Sequence, residues 1–191
     1  MTKTKPFTLR EAAEFNQYWY SRKTIETLID ELLHLQESRK PEEGPLRVAC
    51  LSTPSVFFTI GASKELKGTL DCWLFDFDPQ LLQEKNCTKF DYREPEGIPQ
   101  DLMHVFDCVV IDPPFITNEV WKSYAIAAKL LGTEGSAIIG SSVRENGDLL
   151  RDLLGMSPVK FQPSIPNLVY QYDFFTNYLA DGPLGQINTE V

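Results

Sequence analysis

Apolar positions recur along this chain in two alternating rhythms. Between residues 22 and 36 they fall at Ile25, Leu28, Ile29, Leu32 and Leu33, the spacing of one helical face, with Ser21 placed to cap the helix. A polar loop containing Pro and Gly, residues 37–45, separates that helix from a strand at Leu46–Leu51 (LRVACL). A helix follows Pro54, whose fixed φ suits a first turn. A second strand is predicted over Asp71–Phe77 (DCWLFDF), then a helix opening at Asp78-Pro79 and ending near Lys85-Asn86. Asn86–Tyr92 reads as a short third strand with its exit turn, and Phe106–Ile111 (FDCVVI) as a fourth. A helix at Asn118–Leu131 carries Val120, Tyr124, Ala128 and Leu131 on one stripe; a fifth strand spans Ser136–Ser142. A last helix, Glu145–Leu154, turns Leu149, Leu150, Leu153 and Leu154 inward, and Pro158–Tyr178 holds β-rich runs with no helix between them.

Strand and helix alternate through residue 155, which predicts an α/β fold with a doubly wound, mostly parallel sheet. The nearly unbroken apolar run at Phe106–Ile111 is that of a central parallel strand covered on both faces. The helix-free ending predicts a terminal hairpin with at least one antiparallel strand. Ligands of such sheets bind beyond the carboxyl ends of the strands, where the strand order switches direction. Chemistry is therefore expected just after Leu51, Phe75, Phe90 and Ile111.

The chain has 191 residues, 42% hydrophobic and 24% charged, enough to bury one core and too apolar for global disorder; residues 1–191 are expected to form a single domain with flexible ends at 1–14 and 179–191. The longest apolar run, Tyr124–Ala128, is five residues, far short of the ~18 of a membrane span. Residues 1–10 are basic without the apolar core of a secretory signal, so a cytoplasmic protein is expected. The formal charge of −9 disfavours a nucleic-acid partner and favours a basic protein one. Cys50, Cys72, Cys87 and Cys108 form no CxxC pair, and only His34 and His104 accompany them, so buried thiols and no metal site are expected.

Each strand end carries candidate chemistry. The first is followed by Ser52-Thr53-Pro54-Ser55 rather than a glycine-rich GxGxxG turn, and no Walker A sequence occurs, which weakens nicotinamide, flavin and nucleoside-triphosphate readings. Asp76 ends the second strand, where a carboxylate accepts two hydrogen bonds from a ribose diol; Phe77 can lie against an adenine ring, and Asp78 suits an N-cap. Asp91 and Tyr92 after the third strand offer an acceptor for an exocyclic amine and a stacking ring. After the fourth comes Asp112-Pro113-Pro114-Phe115. Two prolines remove two backbone donors and stiffen the turn. Outward carbonyls, a carboxylate and an aromatic face together suit the grip of an amino group.

The order of these features resembles the class I S-adenosylmethionine-dependent methyltransferases, and Asp112–Phe115 matches the [DN]PP[YFW] tetrad of the amino-methyltransferases. The blocks FNQYWYS (15–21), RVACLSTPSV (47–56), FDFD (75–78), FDYREP (90–95), FDCVVIDPPF (106–115) and NLVYQYDFFTNY (167–178) resemble the eukaryotic elongation factor 1-alpha lysine methyltransferases. Members of that group were first assigned to adenine-N6 DNA methylation because of the tetrad. The resemblance implies a seven-stranded Rossmann-like sheet with an antiparallel C-terminal hairpin and N-terminal helices. It implies S-adenosyl-L-methionine as cofactor and elongation factor 1-alpha as protein substrate; a monomer with no membrane partner is expected. By the same resemblance Asp112 and the Pro113 carbonyl would orient the target amine and Phe115 would pack against it. Asp76 would hold the ribose, Phe77 and Tyr92 would flank adenine, and Asp91 would bind the adenine amine. Tyr20 and Ser21 would close over the methionine end of the cofactor. Ser52 and Thr53 stand where a glycine-rich turn usually meets it.

The implied reaction is in-line displacement at a sulfonium methyl by a neutral amine. Free lysine has a pKa near ~10.4, so about one molecule in a thousand is competent at neutral pH. Desolvation around Phe115 would lower that pKa, Asp112 would oppose the shift while aiming the substrate, and proximity and orientation would supply much of the rate. Two other functions compete: adenine-N6 methylation of nucleic acid, which needs a basic groove for a flipped base, and a non-catalytic binding module, which the intact tetrad argues against. Of Phe15, Tyr18, Trp19 and Tyr20, the favoured reading packs the first three with an N-terminal helix on the sheet and sends Tyr20 to the active site. The acidic stretch after Tyr178 reads as a solvated end.

Overall fold

The computed structural model describes residues 8–191; the first seven residues of the expected flexible N-terminal end lie outside the described residues. Seven strands form one sheet in the order β3-β2-β1-β4-β5-β7-β6. They are β1 (Leu46–Leu51), β2 (Leu70–Asp76), β3 (Cys87–Lys89), β4 (Phe106–Ile111), β5 (Gly132–Ser142), β6 (Ser157–Pro158) and β7 (Asp173–Thr176). The pairs through β5 are parallel, and β7 runs antiparallel between β5 and β6. The helices are α1 (Arg22–Glu37), α2 (Pro54–Gly61), α3 (Lys64–Thr69), α4 (Asn118–Leu131) and α5 (Gly147–Leu154).

Alternation along the central strands divides the core into two layers, because successive strand side chains point to opposite faces. Val48 and Cys50 of β1, Cys72 and Leu74 of β2 and Cys108 and Val110 of β4 face α1 and α2, where they meet Leu28, Ile29, Leu32, Val56 and Ile60. Ala49 and Leu51 of β1, Phe75 of β2 and Val109 and Ile111 of β4 face α4 and α5. There Trp121 and Tyr124 are fully enclosed, and the backbone of Gly140 on β5 leaves room for Trp121: a Cβ at that position would stand 2.9 Å from the indole. The helices begin as their sequences dictate. Ser21 Oγ accepts from the Thr24 N–H at 3.2 Å to cap α1, and Thr117 Oγ1 accepts from the Val120 N–H at 3.4 Å to cap α4. Gly155, at φ 66°, closes α5 in the left-handed conformation.

The structure corrects several expected elements. Residues 78–86 form one 3-10 turn, Pro79–Leu81, rather than a helix, because of this stretch only Asp78 and Leu81 are buried and no apolar face continues beyond them. The third strand ends at Lys89: the Phe90 N–H still bonds to the Asp76 carbonyl at 2.8 Å, but the Phe90 side chain then turns into the core. The helix after Pro54 is two helices, with Ser63 capping the second through the Leu66 N–H. The last helix opens with a separate 3-10 turn, Arg144–Asn146. Among the described residues the N-terminal helices reduce to α1 and one 3-10 turn, Ala13–Phe15.

The stretch after Tyr178 needs the same correction. Leu184 and Asn188 are buried, not solvated. The reason is Glu31, a fully buried carboxylate on α1 that accepts from the Tyr178 hydroxyl at 2.9 Å and from the Leu184 N–H at 2.9 Å. Buried charges persist where such donors replace water. Leu184 in turn gives its carbonyl to the Phe161 N–H at 3.0 Å. Removing the carboxylate strands two buried donors, each worth about 1–3 kcal/mol. Glu31→Ala is accordingly expected to lower the unfolding free energy by about 2–4 kcal/mol, read as a fall in the urea midpoint; an unchanged midpoint would show that the C-terminal segment contributes nothing to the fold.

Candidate active site

The strand order reverses direction at the β1–β4 pair, and a cleft of about 280 Å³ opens over the carboxyl ends of β1, β2 and β4. Its walls bring together Ser52, Asp76, Phe77, Asp91, Tyr92, Asp112, Pro113 and Phe115. Of the other expected residues, Tyr20, Ser21 and Thr53 do not line it. Ser21 is committed to capping α1 and to a hydrogen bond with Glu190. Thr53 is buried, its hydroxyl donating to the Val110 carbonyl at 3.5 Å. Tyr20 is buried edge-on against Phe174, with ring centroids 5.6 Å apart.

Asp76 is 8% exposed, and burial pushes its carboxyl up to about 6. Its Oδ1 accepts from the Asp78 N–H at 3.0 Å, which orients it within the turn. Phe77 beside it is 39% exposed, unusual for phenylalanine and suited to a flat ligand. Phe15 packs edge-on against one side at 5.9 Å, and the Lys89 ammonium and Arg93 guanidinium each stand 5.5 Å from its ring centroid. Asp91 is held by Arg93 through a forked pair, Nη2 to Oδ2 at 2.6 Å and Nε to Oδ1 at 2.9 Å. Those hydrogen bonds hold its carboxyl below the ordinary range, and its oxygens already face a cation.

The Asp112 turn is clamped from both sides. The Asn16 side-chain amide donates to the Pro114 carbonyl, and Asn146 Nδ2 donates to the Ile116 carbonyl at 2.8 Å and to Ser142 Oγ at 2.9 Å. Of the two prolyl carbonyls, that of Pro114 is thus occupied. Asp112 Oδ1 accepts from the Ser141 hydroxyl, and burial pushes the Asp112 carboxyl up to about 7. Phe115 is 46% exposed at the mouth and meets Tyr92 edge-on at 6.4 Å, while Tyr92 stacks with Tyr124 at 6.5 Å. An aromatic wall therefore runs from the turn toward Asp91. Such faces attract cations, as do the four carboxylates lining the cleft, Glu14, Asp76, Asp91 and Asp112, set against the single guanidinium of Arg93.

Sequence reasoning missed several lining residues. Tyr124 reads as an ordinary helix stripe residue, yet its hydroxyl shares a 2.7 Å hydrogen bond with Ser52 Oγ. Ser52 itself stands at φ 57°, the left-handed conformation that glycine adopts freely. The favoured split of the N-terminal aromatics is reversed: Phe15, Tyr18 and Trp19 line the cleft and Tyr20 packs. A polar strap carries them, with Gln17 Nε2 donating to Asp78 Oδ2 at 3.0 Å. The FNQYWYS block was the available signal. Ile165, Leu168 and Tyr172 arrive from the loop before β7; Leu168 and Tyr172 stand in the NLVYQYDFFTNY block.

A buried acceptor for a diol, an exposed aromatic plane, a cation-attracting wall and a rigid acceptor turn fit a nucleoside that carries a positive charge. The fold and the cleft thus define a class I S-adenosylmethionine-dependent methyltransferase. A match to the family described as "Probable N6-adenine methyltransferase" covers residues 11–180. The zebrafish (Danio rerio) protein named EEF1A lysine methyltransferase 1 is 31% identical over 85% of this chain and 96% of its own, and a protein-lysine N-methyltransferase of Caenorhabditis elegans is 28% identical over 86% and 77%. Among solved structures, the branched-chain polyamine synthase of Thermus thermophilus superposes with a TM-score of 0.58 at 16% identity, covering 86% of this chain and 58% of that one, which speaks for the fold alone. The chain belongs to this family and is a protein-lysine N-methyltransferase that uses S-adenosyl-L-methionine.

Asp76→Ala is expected to weaken cofactor binding by about 1.5–3 kcal/mol through loss of charged hydrogen bonds. A carboxyl that ionises near 6 is protonated below it, so wild-type affinity should fall as pH drops from 7.5 to 5.5. Calorimetry at both pH values checks both points; an unchanged dissociation constant in the variant removes Asp76 from the cofactor site.

Proposed function

We propose that this enzyme methylates a lysine of translation elongation factor 1-alpha, holding the lysine amine at the Asp112-Pro113-Pro114-Phe115 turn. The observation that carries the reading is that turn itself: a partly buried carboxylate, a stiff acceptor loop and an exposed aromatic ring meet at one cleft wall. The names of the relatives support the substrate. The formal charge of −9 supports a basic protein over a polyanion, although the family description names adenine.

The cofactor supplies an electrophilic methyl group on a sulfonium. The chain supplies capture, orientation and dryness. Asp112 and the Pro113 carbonyl accept the amine's hydrogens and so direct its lone pair away from themselves, toward the cofactor side of the cleft. Phe115 and Tyr92 cover the lysine stem and displace water, which favours the neutral amine. Asp112, ionising near 7 rather than near 4, is a weaker anion-forming group than an exposed aspartate and restrains amine deprotonation less. Tyr92 and Phe115 receive the cationic transition state on aromatic faces, with Tyr124 stacked behind Tyr92. Orientation by these groups is the main contribution to rate.

Transfer of radiolabel from the cofactor to purified elongation factor 1-alpha tests the substrate, with cell lysate treated or untreated with nuclease as the comparison. Label in a nuclease-resistant protein band is expected; label confined to nucleic acid overturns the reading. Asp112→Asn should abolish transfer and leave cofactor affinity within about twofold. It should also stabilise the free protein. The folded carboxyl ionises higher than the unfolded one, so the native state is disfavoured as pH rises through about 4 to 7, and the amide lacks that handicap. The variant's Tm should match wild type below pH 4 and exceed it at pH 8 by about 2–4 °C, the shift of about 1 kcal/mol in a domain this size.

A further inference from the structure

Behind the Asp112 turn lies a chain of hydroxyls that no ligand would touch. The Tyr20 hydroxyl donates to Ser141 Oγ at 2.9 Å, and the Ser141 hydroxyl donates to Asp112 Oδ1. Ser141 is fully buried and Tyr20 is 5% exposed. Each hydroxyl has one proton to give, so the direction of the chain is fixed: Tyr20 to Ser141 to Asp112. The three residues come from distant parts of the sequence. Tyr20 precedes α1, anchored by the Ser21 N–H to the Ser164 carbonyl at 2.8 Å and by its edge against Phe174. Ser141 lies near the carboxyl end of β5 and pairs in register with that same Phe174 on β7.

We infer that Ser141 and Tyr20 are positioning residues for Asp112, a relay that locks Oδ1 and leaves Oδ2 to receive the substrate amine. The inference rests on the proposed role of Asp112 in amine capture. Without the relay a carboxylate on a stiff proline turn can still rotate about χ2 and swing its oxygens away from the amine. With Oδ1 held by Ser141, and Ser141 held by Tyr20, one orientation persists. The same bonds favour the ionised form that captures an amine, against the burial that disfavours it. The tyrosine remains a donor, because burial and the nearby Asp112 charge push its own ionisation well above the ordinary range.

The other titratable groups near Asp112 are Tyr172 from the loop before β7 and Tyr124 from α4, both shifted upward chiefly by burial and therefore neutral at pH 8. Asp76 and the Asp91–Arg93 pair line the same cleft. None of these donates to Ser141 among the described residues, so the relay can be cut without disturbing them.

The carboxyl carbon of Asp112, assigned by its loss in Asp112→Asn, can be titrated by ¹³C NMR in the full-length protein without any substrate. Wild type should show a midpoint near 7. Ser141→Ala should raise that midpoint, Tyr20→Phe should raise it less, and the double variant should raise it at least as far as Ser141→Ala, because both hydroxyls favour the ionised carboxyl. Ser141→Thr, which keeps the hydroxyl, should restore the wild-type midpoint. In methyl-transfer assays the acid limb of kcat/KM should move with the NMR midpoint while cofactor affinity stays within about twofold. An unmoved midpoint in folded Ser141→Ala overturns the inference, even if the variant is less stable. Full activity in Asp112→Asn instead overturns the amine-capture reading beneath it, so the two failures are distinguishable.

Discussion

A carboxylate at the end of a buried strand must be held against the loss of its water, and the carboxyl edge of this sheet is organised by that constraint. β1 and β4 are covered on both faces by helices, so whatever follows Leu51 and Ile111 emerges from an apolar interior. Asp76 and Asp112 both ionise at higher pH than an exposed aspartate for this one reason. Among the described residues neither makes an ion pair with a protein cation. Each is oriented by neutral donors instead, Asp76 by the Asp78 N–H and Asp112 by Ser141. On the proposed reading, the cofactor's ribose at Asp76 and a lysine amine at Asp112 take up the acceptor capacity that these carboxylates keep.

Asp91 shows the contrasting solution. It is satisfied within the protein by Arg93, and its carboxyl sits low. Arg93 also stands near Phe77, so this side of the cleft is closed by a salt bridge rather than left open for a charge. The expected bond from Asp91 to an adenine amine would have to share oxygens with that guanidinium. On the proposed reading the cleft divides into an adenosine side and a reactive side whose carboxylate is held by hydroxyls. The Ser52 turn lies between them, its serine held at positive φ by the Phe75 carbonyl and the Tyr124 hydroxyl where glycine is the easier residue.

The parts of the fold that were legible in the sequence are those where one local rule suffices. The α1 stripe, the cap at Ser21 and the apolar run of β4 appear where the periodicity puts them. The errors fall where local pattern and tertiary contact disagree. Residues 78–86 carry helix-compatible residues but have no buried apolar position beyond Leu81, so one turn forms. The end after Tyr178 looks polar, yet buried Glu31 on α1 gathers it in through two hydrogen bonds. Among the aromatics of 15–20, composition is uniform and only the path of the strap decides which face the cleft.

The sequence by itself determined the alternation of strands and helices, and therefore the edge at which chemistry must sit, because backbone periodicity and proline stiffness act over a few residues. It also determined the Asp112–Phe115 turn, whose rigidity is written in two adjacent prolines. Only the tertiary structure decided which side chains converge on that turn. Asn16, Tyr20, Ser141 and Asn146 lie far from Asp112 along the chain, and hydrogen bonding over such separations depends on distances that exist once the sheet has closed its order and the strap has crossed it.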